Sequence, residues 1–210
     1  MNTMGPRENE LLEKLSELKK LPKAMEEKII NIMEGKEGDS ERFIKDLYTQ
    51  FQYLIEAYIV LSKKPYNLCN ISTYPLLNSA FEGLIKIIIF LNSPKDYFKI
   101  AMNQRTIGSL KGKLISILEN HGLENDKITI VRSSLDLIQN LRNTFIHFPF
   151  YYNYDYRFEH MYFQLIAFIL ETFDLWTHIS LKLKKLIIKL AMDKPNGTDL
   201  FEGVNLYETE

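Results

Sequence analysis

The fold assignment rests on Leu141-Arg142-Asn143-Thr144-Phe145-Ile146-His147-Phe148-Pro149, at the end of a long predicted helix. Upstream of this end, apolar residues recur at helical spacing and predict a long helix over 127–148. Pro149 disfavours the helical conformation at the residue before it, so we expect the helix to end at about His147. An arginine, a polar residue directly after it and a histidine five positions on therefore stand at a helix C-terminus.

The rest of the chain carries the same helical period. It predicts further helices over 8–21, 25–33, 41–63, 74–91, 94–102, 107–120 and 158–192, and no segment alternates as a strand would. The four longest segments, 41–63, 74–91, 127–148 and 158–192, predict an all-α, up-and-down four-helix bundle. The two shorter helices at 94–102 and 107–120 lie between core helices 2 and 3.

Three regions follow from this pattern. Residues 1–38 are rich in Lys and Glu and predict a helical hairpin added to the main body, whereas residues 39–192 form the bundle. Residues 193–210 contain Pro195, the pair Asn196-Gly197 and an acidic end, which is typical of an irregular tail.

Composition excludes several classes of protein. Twenty-six Lys and Arg residues against twenty-seven Asp and Glu residues give a net charge of -1, whereas a protein dedicated to coating nucleic acid is usually strongly basic. Any RNA contact must therefore be local, and no DNA binding is expected. A single cysteine, Cys69, excludes an intrachain disulfide and a cysteine-based zinc cage, and no other ligand spacing indicates a metal site.

The N-terminal residues are polar and lack the apolar core of a signal peptide. The longest uninterrupted apolar stretches, 87–91 and 165–170, are far shorter than the ~20 residues that cross a bilayer. We therefore expect a cytoplasmic protein with no membrane partner.

The pattern Arg-polar-x-x-x-His near a helix C-terminus of an all-helical chain resembles the signature of the HEPN superfamily. The segment 106–114, which reads TIGSLKGKL, is also similar to the TLGxLI stretch that many members carry upstream, although it has a second glycine. The resemblance covers about 40–192. It implies a four-helix bundle, a homodimer, and metal-independent endoribonuclease activity without a cofactor.

RNA cleavage by the ribose 2'-hydroxyl needs a proton acceptor, a proton donor and a cation for the crowded phosphate. Histidine suits both proton transfers because its ordinary pKa lies near neutrality. Arginine suits the phosphate because its charged guanidinium forks onto two oxygens. The candidate catalytic residues are therefore Arg142 as phosphate clamp, His147 as general acid or base, and Asn143 as the positioning group.

The spacing of these residues has a geometric consequence. At 100° per residue, Arg142 and His147 stand about 140° apart around a regular helix, whereas Asn143 and His147 share one face. Either the last turn unwinds ahead of Pro149, or a two-fold interface brings two copies of the motif together. The HEPN resemblance implies the second arrangement, with a composite cleft at the dimer seam.

The segment after the motif, 148–158, holds seven aromatic residues and one arginine. Tyr151 and Tyr152 could stack unpaired bases, and Arg157 and His160 could add phosphate contacts. The alternative is that the aromatic rings pack onto the bundle or form the dimer seam, and that Arg157 and His160 are surface residues.

A second interpretation comes from another class of protein. HEPN-type modules also serve as non-catalytic units, and this chain would then bind a nucleotide or a partner protein such as a nucleotidyltransferase antitoxin. Its near-zero net charge favours this alternative. Either function would suit a toxin–antitoxin pair or a phage-defence system.

Overall fold

The computed structural model describes residues 5–19, 23–36, 38–62, 68–102, 107–147 and 156–192. Within these ranges every regular element is helical, which confirms the all-α class. The α-helices are α1 (Pro6–Lys19), α2 (Lys23–Met33), α3 (Asp39–Ser62), α4 (Leu68–Asn92), α5 (Pro94–Met102), α6 (Ile107–Asn120), α7 (Asn125–His147), α8 (Tyr156–Thr172) and α9 (Leu181–Met192). A short 3-10 turn spans Trp176–His178.

Helices α4 and α8 lie at the centre of the main core. Every residue from Met161 to Leu170 is buried, and a helix that is apolar on all sides is stable in water only when it is surrounded by other helices. Helix α4 packs against α3, α5, α6, α7 and α8, while α9 covers α8. The apolar stripe of α7, formed by Val131, Leu135, Ile138 and Leu141, completes this core.

The N-terminal hairpin is docked on the main body. Ile29, Ile32 and Met33 of α2 form a second apolar cluster with Phe90 and Phe98. Phe43 of α3 strengthens the same cluster, because its ring centroid lies 5.1 Å from that of Phe90. The predicted tail at 193–210 lies outside the described residues.

The prediction of one helix over 158–192 is wrong. Helix α8 ends at Thr172, and Asp174 adopts a left-handed φ of 51°. The Leu175 amide donates to the Leu170 carbonyl at 2.8 Å, and the Asp174 amide donates to the Glu171 carbonyl at 3.1 Å. These two bonds form a Schellman C-cap, in which Asp174 occupies the position that glycine usually takes.

Gln52 of α3 holds the segment between α8 and α9 in place. Its amide nitrogen donates to the His178 carbonyl at 3.4 Å, and its amide oxygen accepts from the Ser180 amide at 3.0 Å. The Ser180 hydroxyl in turn accepts from the Leu183 amide at 3.4 Å and caps α9. The apolar period continues across this break, which is why the sequence pattern did not reveal it.

The start of α4 also differs from the prediction. The helix begins at Leu68 rather than Tyr74 and carries Pro75 in its interior. Since proline has no amide hydrogen, Pro75 cannot donate to the carbonyl of residue 71, one turn earlier in the helix.

Among the described residues, one helical segment, Thr73–Asn92 of α4, is long and apolar enough to span a membrane by length and composition. Asn78, Glu82 and Lys86 interrupt this segment, so it does not stand out as an unbroken apolar run. Within its most apolar window, 61% is buried inside the protein, and a buried core helix passes the same test of length and composition.

Candidate active site at the end of α7

Helix α7 spans Asn125–His147, and Phe148 and Pro149 lie outside the described residues, so the helix end expected before Pro149 stays a prediction. Leu141, the last buried residue of the α7 stripe whose side chain is described, directly precedes Arg142. Arg142 therefore lies at the edge of the core, and its side chain is only 27% exposed. This position allows the guanidinium to reach groups on α4.

Arg142 forms an ion pair with Glu82 of α4. The distance from the guanidinium Nε to the Glu82 Oε1 is 3.6 Å, and the Glu82 side chain is 16% exposed. At this separation the contact is an ion pair rather than a direct hydrogen bond. Because little water reaches the two groups, their attraction is screened less than that of an exposed pair.

A chain of hydrogen bonds continues from Glu82 into the core. The Asn78 side-chain amide donates to the Glu82 Oε1 at 3.1 Å, and the Tyr162 hydroxyl of α8 donates to the Asn78 Oδ1 at 3.3 Å. Asn78 and Tyr162 are both buried. Arg142, Glu82, Asn78 and Tyr162 therefore form one polar network across α7, α4 and α8, which we call the α4 network.

An open cavity of about 150 Å³ lies against the α4 network. One face of α4 supplies most of its wall, since positions 74, 75, 78, 79 and 82 follow one another at helical spacing. The lining residues are Tyr74, Pro75, Asn78, Ser79, Glu82, Arg142 and Tyr162. Arg142 is thus both a wall of this cavity and a partner of Glu82.

The backbone of α7 remains α-helical through His147. The last turn is not unwound, so position 147 stays about 140° around the helix from Arg142 and about 7.5 Å along its axis. Asn143 is exposed and shares its helix face with position 147. Within one chain, Arg142 and Asn143 therefore face different surroundings.

The four candidate substrate-binding residues, Tyr151, Tyr152, Arg157 and His160, are not brought together in the described residues. Tyr151 and Tyr152 lie outside these residues, and Arg157 is in the first turn of α8. His160 is buried rather than on the surface. Its Nδ1 lies 3.2 Å from the Leu190 carbonyl of α9, and its Nε2 has no hydrogen-bond partner within the described part of the chain.

Sequence reasoning missed Glu82, Asn78 and Tyr162. One signal was present, because Asn78 and Glu82 form a polar i,i+4 pair within the most apolar of the described helices. The segment that resembles the upstream HEPN stretch begins α6, which packs against α4 and α7. Across the described residues, no group of three His, Cys, Asp or Glu side chains is placed to hold a metal ion.

The chain matches no protein-family model, no curated protein sequence and no solved structure.

Proposed function

We propose that this protein is a HEPN-type, metal-independent endoribonuclease. It would cleave single-stranded or looped RNA by attack of the 2'-hydroxyl, leave a 2',3'-cyclic phosphate, and use no cofactor. The site would be composite, with two copies of the α7 end meeting across a two-fold axis. The bundle arrangement that the HEPN resemblance implies is part of this proposal, and the packing of α4 against α3, α7 and α8 supports it.

The regular backbone at the end of α7 is the observation that carries the proposal. A general acid or base and a phosphate clamp must reach the same phosphate, yet one straight helix holds positions 142 and 147 on different sides. A two-fold axis beside the exposed Asn143 face would bring position 147 of one protomer towards Arg142 of its partner. A homodimer is therefore required by the proposed chemistry.

Each residue has a distinct role in this mechanism. Glu82 lies 3.6 Å from the Nε of Arg142, which would help to orient the guanidinium and direct its two-pronged Nη end to a phosphate. His147 would transfer the proton at the 2'-hydroxyl or at the leaving 5'-oxygen. Asn143 would orient the histidine or the phosphate by hydrogen bonding.

An RNA cleavage assay in the presence of EDTA tests this function. His147→Ala should slow cleavage ~10²–10⁴-fold, since that is the usual loss on removing a general acid or base. Arg142→Ala should be similarly impaired. Arg142→Lys should remain severely impaired, because an ammonium keeps the charge but loses the fork.

Two matched variants serve as controls. Arg132 is an exposed arginine on the same helix, and His121 is an exposed histidine at the end of α6. Arg132→Ala and His121→Ala should cleave like the wild type. Cleavage that persists equally in Arg142→Ala and His147→Ala would refute the proposed site.

The second candidate function is a non-catalytic module that binds a nucleotide or a partner protein, such as a nucleotidyltransferase antitoxin. The ion pair between Arg142 and Glu82 favours its protein-binding form, because the carboxylate offsets the charge that the phosphate of an RNA or of a nucleotide would meet. Co-purification from native lysate, together with light scattering, separates the two functions. A stoichiometric partner and no cleavage of varied RNAs would support the module, whereas a homodimer that cleaves RNA would exclude it.

A further inference from the structure

The cavity beside Arg142 has the size of one aromatic ring. A cavity of about 150 Å³ holds a ligand such as benzene, so it has room for a six-membered ring. Two tyrosines, Tyr74 and Tyr162, contribute to its wall, and unpaired bases commonly pack against aromatic side chains. A pyrimidine base fits both observations.

The polar groups of the cavity discriminate between the two pyrimidines of RNA. The Asn78 side-chain nitrogen donates to Glu82, and its side-chain oxygen accepts from Tyr162, so the orientation of the Asn78 amide is fixed within the protein. The Glu82 carboxylate accepts hydrogen bonds and donates none. Cytosine presents an amino donor where uracil presents a carbonyl acceptor, and Glu is a known acceptor for that amino group.

The remaining edge of cytosine carries acceptors. Arg142 and Ser79 supply donors in the same cavity, since the guanidinium only donates and the serine hydroxyl can donate. In the same orientation, uracil would place its O4 carbonyl against the Glu82 carboxylate, which leaves two acceptors opposed. The cavity thus combines an acceptor with donors in the way that the edge of cytosine requires.

We propose that this cavity binds the cytosine base of the nucleotide whose 3'-phosphate lies on Arg142. The inference rests on the proposed function, because that function supplies RNA as the ligand and Arg142 as the phosphate clamp. A base in the cavity and a phosphate on the same arginine wall would hold one nucleotide at two points. Cleavage would accordingly fall on the 3' side of unpaired cytidines.

Binding of mononucleotides tests the cavity without requiring catalysis. The probes are cytidine 3'-monophosphate and uridine 3'-monophosphate, titrated into the full-length protein and followed by NMR. One good base contact discriminates by ~1–3 kcal/mol, so the cytidine nucleotide should bind about fivefold tighter or more. Ser79 is exposed at the cavity mouth, and Ser79→Phe should block the cavity and remove the preference.

Ser116→Phe is the matched control, because Ser116 is exposed on α6 and does not line the cavity. This variant should keep the preference, and circular dichroism checks that both variants are folded. Equal binding of the two nucleotides, or binding unchanged by Ser79→Phe, would overturn the cytosine site.

If RNA is cleaved without base preference, the cytosine site is refuted and the proposed nuclease activity is supported. If the cytidine nucleotide is preferred and no RNA is cleaved, the cytosine site stands and the nuclease falls.

Discussion

Removal of the Glu82 carboxylate should destabilise the fold and uncouple Arg142 from the α4 network. At 3.6 Å, two unit charges in a medium of effective dielectric constant ~20 attract by about 4–5 kcal/mol before the cost of desolvation. An exposed ion pair retains about 0–1 kcal/mol of this, and loss of one partner of a buried pair costs about 3–5 kcal/mol. The partial exposure of both side chains places the Glu82–Arg142 pair between these limits.

We therefore expect a coupling free energy of about 1–2 kcal/mol between Glu82 and Arg142. Glu82→Ala alone should lower the free energy of unfolding by about 2–3 kcal/mol, because the buried Asn78 amide also loses its acceptor. Urea denaturation of Glu82→Ala, Arg142→Ala and the double variant gives the coupling by a double-mutant cycle. The cost of losing the Asn78–Glu82 hydrogen bond cancels from this coupling free energy, since it is present in both variants that lack Glu82.

Arg132 and Glu119 provide the matched control pair. Their separation is 3.5 Å, nearly the same as in the Glu82–Arg142 pair, but both side chains are 51% exposed. The same cycle on this pair should give a coupling of at most about 0.5 kcal/mol. If the Glu82 and Arg142 variants were additive to within about 0.5 kcal/mol, or coupled no more strongly than the control pair, the placement of Arg142 on the α4 network would be refuted.

Three further predictions concern the fold. Gln52→Ala should lower the free energy of unfolding by about 1–2 kcal/mol and speed proteolysis between α8 and α9, whereas Gln50→Ala, on the exposed face of α3, should do neither. Burial raises the pKa of Tyr48 to about 12, so the folded protein keeps a proton that the unfolded chain releases near pH 10. The stability that this tyrosine contributes is therefore present below pH 10 and falls as the pH rises towards 12. In urea denaturation, Tyr48→Phe should lose less stability than the wild type between pH 9 and pH 11. Ile32→Ala should cost about 2–5 kcal/mol if α2 unfolds together with the main core, and Met25→Ala, on the exposed side of α2, should change the free energy of unfolding by less than about 0.5 kcal/mol.

The sequence predicted those features that depend on local chemistry. The helical period places nearly every helix, and the described part of α7 reaches His147, the residue at which the conformational restriction before Pro149 is expected to end it. The break between α8 and α9 was missed because an aspartate, rather than glycine, takes the left-handed position of the C-cap. The HEPN arrangement, the dimer and the nuclease activity stay predictions.

The α4 network could not be read from the sequence for a different reason. An Asn and a Glu four residues apart usually mark the solvated face of a helix, and only tertiary packing turns this face of α4 towards α7 and α8. The partner of Arg142 is 60 residues away in the chain, so no local pattern connects the two residues.

The α4 network places polar and charged groups in a helix that could have been wholly apolar, at a cost in desolvation free energy. Apart from Thr73, helix α4 otherwise buries aliphatic and aromatic residues, and apolar residues at 78 and 82 would fill the core without the desolvation of polar groups. Replacement of buried ionic groups by well-packed apolar residues is often neutral or stabilising, so stability alone does not explain why the charge is kept there. The network instead holds a guanidinium at the edge of an open cavity near the end of α7, with a carboxylate 3.6 Å from its Nε. A carboxylate that holds the arginine in this way is what the proposed phosphate clamp would require, because part of the cost of ordering the arginine is then met during folding rather than during binding.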